Sequence, residues 1–170
     1  MAKKFICGGE KYELGGPLLD TIVLPVKSEG WPTVFEIEGY TLTLKTKFHV
    51  SLVAVGQIIK KHGVTEANFL EDVVNFFCEY VQKHPVELVR YKNEFRFVSE
   101  NERRAVVVMC DVVNIDQFFD LLSVRYNLRL QHPPTHVTLY TLQPDVGIFL
   151  TDFHDMEKLT KLLVPAPIKL

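Results

Sequence analysis

The nine residues 105–113 (AVVVMCDVV) are almost all apolar and rich in valine. They restrict the possible fold more than any other segment. A run of this length and composition is typical of a strand buried on both faces, because a half-buried strand would alternate apolar and polar residues. We therefore predict a central β-strand that other elements cover on each face. Apolar residues make up 47% of the 170 residues, enough for one domain over residues 1–170 that folds without a disulfide or a structural metal.

Shorter patterns predict the remaining elements. Period-2 alternation and turn residues predict strands at 21–24, 33–37, 41–44, 48–53, 88–91, 95–99, 136–142 and 147–150. Spacings of three and four predict helices at 57–62, 66–83, 115–126 and 153–163. Thr65, Asn114 and either Thr151 or Asp152 are predicted to cap the last three helices. Because several strands follow one another without an intervening helix, the fold class is α+β with antiparallel pairing.

Charge and cysteine content indicate the compartment and the kind of partner. The net charge is −2, which argues against coating of nucleic acid by bulk positive charge but leaves room for a local basic pocket. Cys7, Cys78 and Cys110 are far apart in the sequence, and we expect three buried free thiols in a reducing compartment. No apolar run approaches the ~18 residues of a membrane span. The prediction is a cytoplasmic protein without a membrane partner, and nothing in the sequence argues against a monomer.

The candidate functional residues lie in two matching four-residue motifs. These are His-Val-Ser-Leu, which begins at His49, and His-Val-Thr-Leu, which begins at His136. Both lie in predicted strands, where alternate side chains share a face. His49 and Ser51 therefore point the same way, and so do His136 and Thr138. If the two strands lie near each other, two imidazoles and two hydroxyls converge on one cleft.

That set of groups suits cleavage of a phosphodiester. Displacement at phosphorus needs a base for the incoming nucleophile and an acid for the leaving oxygen, and histidine can act as either near neutral pH. Serine and threonine hydroxyls can donate hydrogen bonds to the phosphate oxygens. The remaining four histidines are not followed by this pattern. No metal-ligand spacing or Gly-rich phosphate loop is present in the sequence, so we expect neither a metal nor another cofactor.

The segments FHVSLV and PPTHVTLY resemble the two signature strands of the 2H phosphoesterase superfamily, whose motif is His-apolar-Thr/Ser-apolar, occurring twice. That family includes bacterial RNA 2′,3′-cyclic phosphodiesterases (historically called 2′-5′ RNA ligases), plant cyclic nucleotide phosphodiesterases, and enzymes that cut 2′-5′ oligoadenylate or trim RNA 3′ ends. The resemblance extends over nearly the whole chain in length and element order. Ser51 stands where threonine is commoner; the hydroxyl is kept and a methyl group is lost.

The resemblance implies a bilobal, pseudo-twofold fold: two small antiparallel sheets, flanked by helices, with a central cleft. It implies catalytic roles for His49 and His136 and phosphate-binding roles for Ser51 and Thr138. His136 would be the base that activates water and His49 the acid. The implied substrate is a nucleotide or an RNA that carries a 2′,3′-cyclic phosphate or a 2′-5′ linkage. A non-catalytic module that binds a nucleotide or an RNA end is the alternative.

Three further residues are candidates for substrate binding. Tyr140 has the same parity as His136 and Thr138, although a tyrosine at the rim of a strand is an equally ordinary explanation. Lys45 and Lys47 share the parity of His49 if the strand continues unbroken from the preceding one, and they could then bring positive potential to the cleft. A solvated strand edge is the alternative for both lysines.

Overall fold

A computed structural model describes residues 4–9 and 11–170 of the chain and confirms the α+β class. The strands are β1 Lys4–Cys7, β2 Tyr12–Gly15, β3 Thr21–Val26, β4 Val34–Ile37, β5 Tyr40–Leu44, β6 Phe48–Ala54, β7 Glu87–Glu100, β8 Arg103–Val113, β9 His136–Thr141 and β10 Thr160–Leu162. The helices are α1 Val55–His62, α2 Phe69–Val81, α3 Ile115–Tyr126 and α4 Phe153–Leu159. No helix in this described part of the chain is long and apolar enough to cross a membrane.

The ten strands pair into one antiparallel sheet in the order β1-β2-β3-β6-β9-β8-β7-β10, while the β4–β5 hairpin joins it through β9. The sequence led us to expect two separate sheets, and the pairing is instead continuous. The joint between β6 and β9 is nevertheless narrow, because its register consists of the single pair Val50–Val137. The β7–β8 register, by contrast, has ten pairs. The short connections within the pairs β1–β2, β2–β3, β4–β5 and β7–β8 favour antiparallel pairing of these strands.

The predicted central strand is confirmed as β8. Every side chain from Ala105 to Cys110 is buried, and the side chains alternate between two cores. Val106 and Val108 belong to the larger core, which α1, α2 and α3 cover. Val107 and Met109 belong to a smaller core on the opposite face. An uninterrupted apolar run is therefore needed here, since neither face meets water.

The segment after β9 covers the smaller core without forming a strand. We predicted a strand at 147–150, and this is wrong, because these residues pair with no neighbouring strand. Ile148 and Leu150 are instead buried against β8, and Met156 and Leu159 of α4 pack beside them. The alternating apolar residues match the period-2 pattern of a strand, but they anchor an irregular segment in the smaller core.

Two capping predictions are wrong and one is confirmed. Helix α2 begins at Phe69, later than predicted, so Thr65 does not cap it. The side-chain amide of Asn114 donates to the carbonyl of Pro85, 2.7 Å away, and does not cap α3. Asp152 does cap α4, because its carboxylate accepts a hydrogen bond from the amide of Asp155 at 2.9 Å.

We predicted two strands, 88–91 and 95–99, joined by a hairpin turn at 92–94, and this is wrong. β7 runs as one strand from Glu87 to Glu100 and pairs with β8 on both sides of residues 92–94. The register shifts between Tyr91 and Phe95, so the polar residues that suggested a turn form an irregularity within the strand. Bulges of this kind use the same polar residues as turns, and the sequence alone does not separate the two.

The cysteine prediction requires a correction. Cys7 of β1 and Cys78 of α2 form a disulfide, with their Cα atoms 5.5 Å apart, although 71 residues separate them in the sequence. Cys110 is a buried free thiol, as expected. Sequence spacing did not reveal the disulfide because the packing of α2 against the edge of the sheet brings the two cysteines together.

Candidate active site

The two His-Val-Ser/Thr-Leu strings lie on adjacent strands, β6 and β9. These strands are antiparallel, and Val50 pairs with Val137. The same register places His49 opposite Thr138 and Ser51 opposite His136. The pairing of the two strands was not predictable from local sequence, and it is the step that brings the strings together.

All four polar side chains share the face opposite to the larger core. Val50 and Val137 belong to that larger core, so the residues on either side of each valine point the other way. The imidazoles of His49 and His136 are diagonal neighbours across the pair, a relation in which Cα atoms are about 7–8 Å apart. The hydroxyls of Ser51 and Thr138 occupy the other diagonal. Imidazoles and hydroxyls thus alternate around a small square.

The neighbouring strands surround this square with apolar side chains. On one side, His49 pairs with Pro25 and Ser51 pairs with Val23 of β3. On the other side, the β8 residues Met109 and Val107 pair with the two β9 residues of the square. An apolar surround lowers the local dielectric and strengthens every electrostatic interaction within it.

The backbone fixes the tautomer of His136. This residue is 6% exposed, and its Nδ1 lies 2.6 Å from the carbonyl oxygen of Pro134. Because a carbonyl only accepts hydrogen bonds, Nδ1 carries the proton and donates it. Nε2 is then left with a free lone pair, which is the form of histidine that can act as a base. Burial lowers the pKa of His136, the bond to Pro134 opposes this effect, and the charge of Lys45 adds to the lowering.

His49 is half-buried, and its pKa is lowered as well. Burial lowers the pKa of His49 to about 4, and the charges of Lys45 and His136 contribute in the same direction. Both imidazoles are therefore neutral at pH 7 in the free protein. An anion bound between them would favour their protonated forms.

Lys45 and Lys47 occupy different environments in the structure, although the sequence pattern assigns them the same parity. The strand does not continue from β5 into β6, because residues 45–47 interrupt it. The backbone amide of Lys45 donates to the carbonyl of Leu139 at 2.8 Å, and its half-buried side chain is close enough to lower the pKa of both histidines. Burial lowers the pKa of Lys45 itself, while the charge of Asp145 opposes this effect. Lys47 is exposed and has no comparable influence on the histidines.

The prediction for Tyr140 is wrong. The β8–β9 register shifts so that Val107 pairs with Thr138 but Val106 pairs with Tyr140. This bulge moves Tyr140 to the face of the larger core, where it is fully buried and its hydroxyl donates to the carbonyl of Pro32 at 2.8 Å. Parity arguments fail across a bulge because one extra residue reverses the alternation.

The segment around Asp145 and Gly147, whose position the sequence did not predict, passes over the two hydroxyls and two imidazoles of the site. Gly147 follows β9 and passes over Thr138, since a Cβ at this glycine would lie 3.9 Å from the threonine hydroxyl. Asp145 holds this segment in place: its carboxylate accepts hydrogen bonds from the amide of Thr46 at 3.0 Å and from its hydroxyl at 2.9 Å. The turn residues Pro144 and Asp145 signalled a loop, but its path over the histidine face depends on the smaller core.

Within residues 4–9 and 11–170, no group of three or more histidine, cysteine or acidic side chains is arranged to hold a metal ion. Comparisons with protein-family models, with curated proteins and with solved structures give no match for this chain. The functional interpretation therefore rests on the geometry of the site and on the resemblance of its two strands.

Proposed function

We propose that this protein is a phosphodiesterase of the 2H type, which hydrolyses a 2′,3′-cyclic phosphate or a 2′-5′ phosphodiester of RNA or a nucleotide. The observation that carries the proposal is the alternating square of two imidazoles and two hydroxyls on adjacent strands. The narrow β6–β9 joint further supports a description as two lobes, with β1, β2, β3 and β6 in one and the remaining strands in the other.

The proposed chemistry assigns different roles to the two histidines. Nε2 of His136 accepts a proton from water as the water oxygen attacks phosphorus. The P–O bond to the ribose 2′ or 3′ oxygen breaks on the opposite side, and protonated His49 gives its proton to that oxygen. Ser51 and Thr138 donate hydrogen bonds to the non-bridging oxygens, where negative charge accumulates. Since the histidines alone move the protons, this scheme requires no metal.

The low pKa of His49 must be reconciled with a role as the acid. In the free protein His49 is neutral at pH 7 because burial, the charge of Lys45 and the neighbouring His136 disfavour its protonated form. A phosphodiester anion between the imidazoles reverses this balance, so substrate binding is accompanied by uptake of a proton. The positive charge of Lys45 favours binding of the anion, and the same charge lowers the pKa of His49 in the free protein.

The test is hydrolysis of a panel of 2′,3′-cyclic nucleotides and a 2′-5′-linked dinucleotide in the presence of EDTA. Removing a general acid or base costs about 10²–10⁴-fold, so we expect His49→Gln and His136→Gln to lose activity by this amount. Lys45→Met should weaken substrate binding, whereas Lys47→Met is the matched control and should behave as wild type. Full activity of either histidine variant would refute the proposed mechanism.

A binding module without turnover is the second candidate, and the burial of the histidines favours it. His136 is 6% exposed, and both histidines are neutral in the free protein. Absence of hydrolysis over the whole panel, together with binding of a cyclic nucleotide that Lys45→Met weakens, would support this candidate over the enzyme.

A further inference from the structure

A second histidine, His132, lies four residues before His136 in the chain that leads into β9. The side chain of His132 is 19% exposed. Its ring lies between the rings of Phe119 in α3 and Phe153 in α4, with centroids 6.0 and 6.1 Å away and both contacts edge-to-face. The proposed chemistry does not use this histidine, although its ring is mostly buried close to the site.

Both ring nitrogens of His132 face hydrogen-bond acceptors. Nδ1 lies 2.7 Å from the carbonyl oxygen of Pro133, and Nε2 lies 2.9 Å from Oδ1 of Asp116, in the first turn of α3. A carbonyl and a carboxylate only accept hydrogen bonds, so both bonds form together only when the ring is protonated. A neutral ring with its proton on Nδ1 keeps the bond to Pro133. His132 therefore connects α3 to the chain immediately before β9.

The bond to Pro133 restricts the carbonyl that orients His136. The oxygen of Pro133 belongs to the planar peptide unit between Pro133 and Pro134, and the ring of Pro134 fixes the next φ angle. On the other side, the hydroxyl of Thr135 donates to the carbonyl of Cys110 at 2.6 Å, and the carbonyl of Thr135 accepts from the amide of Cys110 at 3.0 Å. The carbonyl of Pro134 is thus held from both sides, and it lies 2.6 Å from Nδ1 of His136.

We propose that His132 is a positioning residue, which orients the imidazole of His136 by fixing the peptide unit between Pro133 and Pro134. This inference rests on the proposed function, in which Nε2 of His136 receives the proton of the attacking water. His132 acts through the backbone and not on the substrate. Its effect on the rate comes from the direction and tautomer of His136, and a displacement of a catalytic group by about 1 Å can cost about 10²-fold.

Two substitutions of His132 separate positioning from packing. His132→Phe keeps an aromatic ring between the two phenyl rings but removes the donor to Pro133. His132→Asn loses most of the ring, while its side-chain amide can donate to the Pro133 carbonyl in place of Nδ1. We therefore expect a higher Tm for His132→Phe than for His132→Asn. His84→Phe is the control, since His84 is also half-buried and stacks on an aromatic ring, that of Tyr80, with centroids 5.0 Å apart.

The direct readout is the protonation site of the His136 ring, measured by ¹H–¹⁵N correlation NMR at neutral pH. The form protonated on Nδ1 should dominate in the wild type, in His132→Asn and in the control, whereas His132→Phe should contain a larger share of the form protonated on Nε2. Hydrolysis of the substrate panel is the second readout. We expect His132→Phe to lose about tenfold or more in kcat. KM should not change, because Ser51 and Thr138 still bind the phosphate, and His132→Asn should keep a kcat close to that of the wild type.

A purely structural role predicts the opposite order of the two variants. If kcat follows Tm, so that His132→Asn is less active than His132→Phe, the proposal is overturned, and an unchanged His136 tautomer in His132→Phe overturns it as well. If the wild type hydrolyses no member of the panel, the proposed function fails. The NMR measurement then decides the positioning role alone: a change of tautomer in His132→Phe, absent from His132→Asn and from the control, supports it.

Discussion

At the scale of single residues, the orientation of His136 is set by a backbone carbonyl. Pro134 supplies this carbonyl, and both Pro134 and the preceding Pro133 are buried. Proline fixes its own φ angle, so the acceptor is held in a restricted position before the strand begins. A carboxylate in the same place would stabilise the charged imidazole, whereas a neutral carbonyl fixes the tautomer and leaves Nε2 available as a base.

The low pKa of His49 predicts how stability depends on pH. The pKa is about 4 in the folded protein and 6.5 without the perturbation. Between these values the unfolded chain binds a proton that the folded protein does not bind, so the free energy of unfolding decreases as the pH falls from 6.5 to 4. The full difference corresponds to about 3 kcal/mol at 1.36 kcal/mol per pKa unit, and solvent access to the half-buried ring reduces it to about 2 kcal/mol.

Urea unfolding at several pH values measures this effect. His49→Gln removes the titrating group, and its stability should vary less between pH 6.5 and pH 4 than that of the wild type. The exposed His154 provides the control, since His154→Gln should retain the wild-type slope. An identical pH dependence for wild type and His49→Gln would contradict the assigned cause.

At the scale of elements, two irregularities in otherwise regular strands decide which side chains surround the histidines. The interruption at 45–47 between β5 and β6 keeps Lys45 beside the histidines and leaves Lys47 in solvent. The register shift between β8 and β9 turns Tyr140 into the larger core. The register shift changes the face of a side chain by adding a residue to one strand of a pair, and the interruption ends the strand along which the parity of the two lysines is counted. A parity argument can include neither effect.

The segment that crosses Thr138 depends on the hydrogen bonds of Asp145. Asp145→Ala removes both bonds to Thr46, and we expect the free energy of unfolding to fall by about 1 kcal/mol. The amides of residues 146–150 should exchange with solvent faster, because the segment loses its tether at one end while Ile148 stays anchored in the smaller core. Hydrogen exchange followed by mass spectrometry measures this directly.

Glu157→Ala is the control for this variant, since it removes an exposed carboxylate from α4, the helix that packs beside Ile148 and Leu150. Unchanged exchange at 146–150 in Asp145→Ala would mean that the smaller core alone holds the segment. Faster exchange throughout the protein would instead indicate a general loss of stability.

At the scale of the whole molecule, the Cys7–Cys78 disulfide ties the edge of the sheet to α2. It closes a loop of 71 residues and so restricts the unfolded chain. A loop of this size corresponds to about 4 kcal/mol in the chain-entropy account. We expect dithiothreitol to lower the Tm of the wild type, and we expect the double variant Cys7→Ser, Cys78→Ser to melt at the same lower temperature with or without reductant. Equal Tm values for oxidised and reduced wild type would contradict the contribution of the disulfide.

Local sequence patterns were sufficient to predict several elements. The apolar run at 105–113 needs burial on both faces wherever it lies, and the repeated string at His49 and His136 carries the same side-chain alternation in any sheet. Helix α1 ends at Gly63 because this residue adopts a left-handed conformation (φ 62°) that glycine accepts readily. These features follow from the chemistry of a few neighbouring residues.

Which of these elements lie next to each other follows from the packing of the whole chain. Three contacts join residues that are distant in the sequence. They are the pairing of β6 with β9, the disulfide between Cys7 and Cys78, and the passage of Gly147 over Thr138. Such contacts depend on how all the apolar faces are buried together, and a single strand or helix contains no information about its partner. The pKa of His49 is lowered for the same reason, since the burial and the charges that shift it come from other parts of the chain.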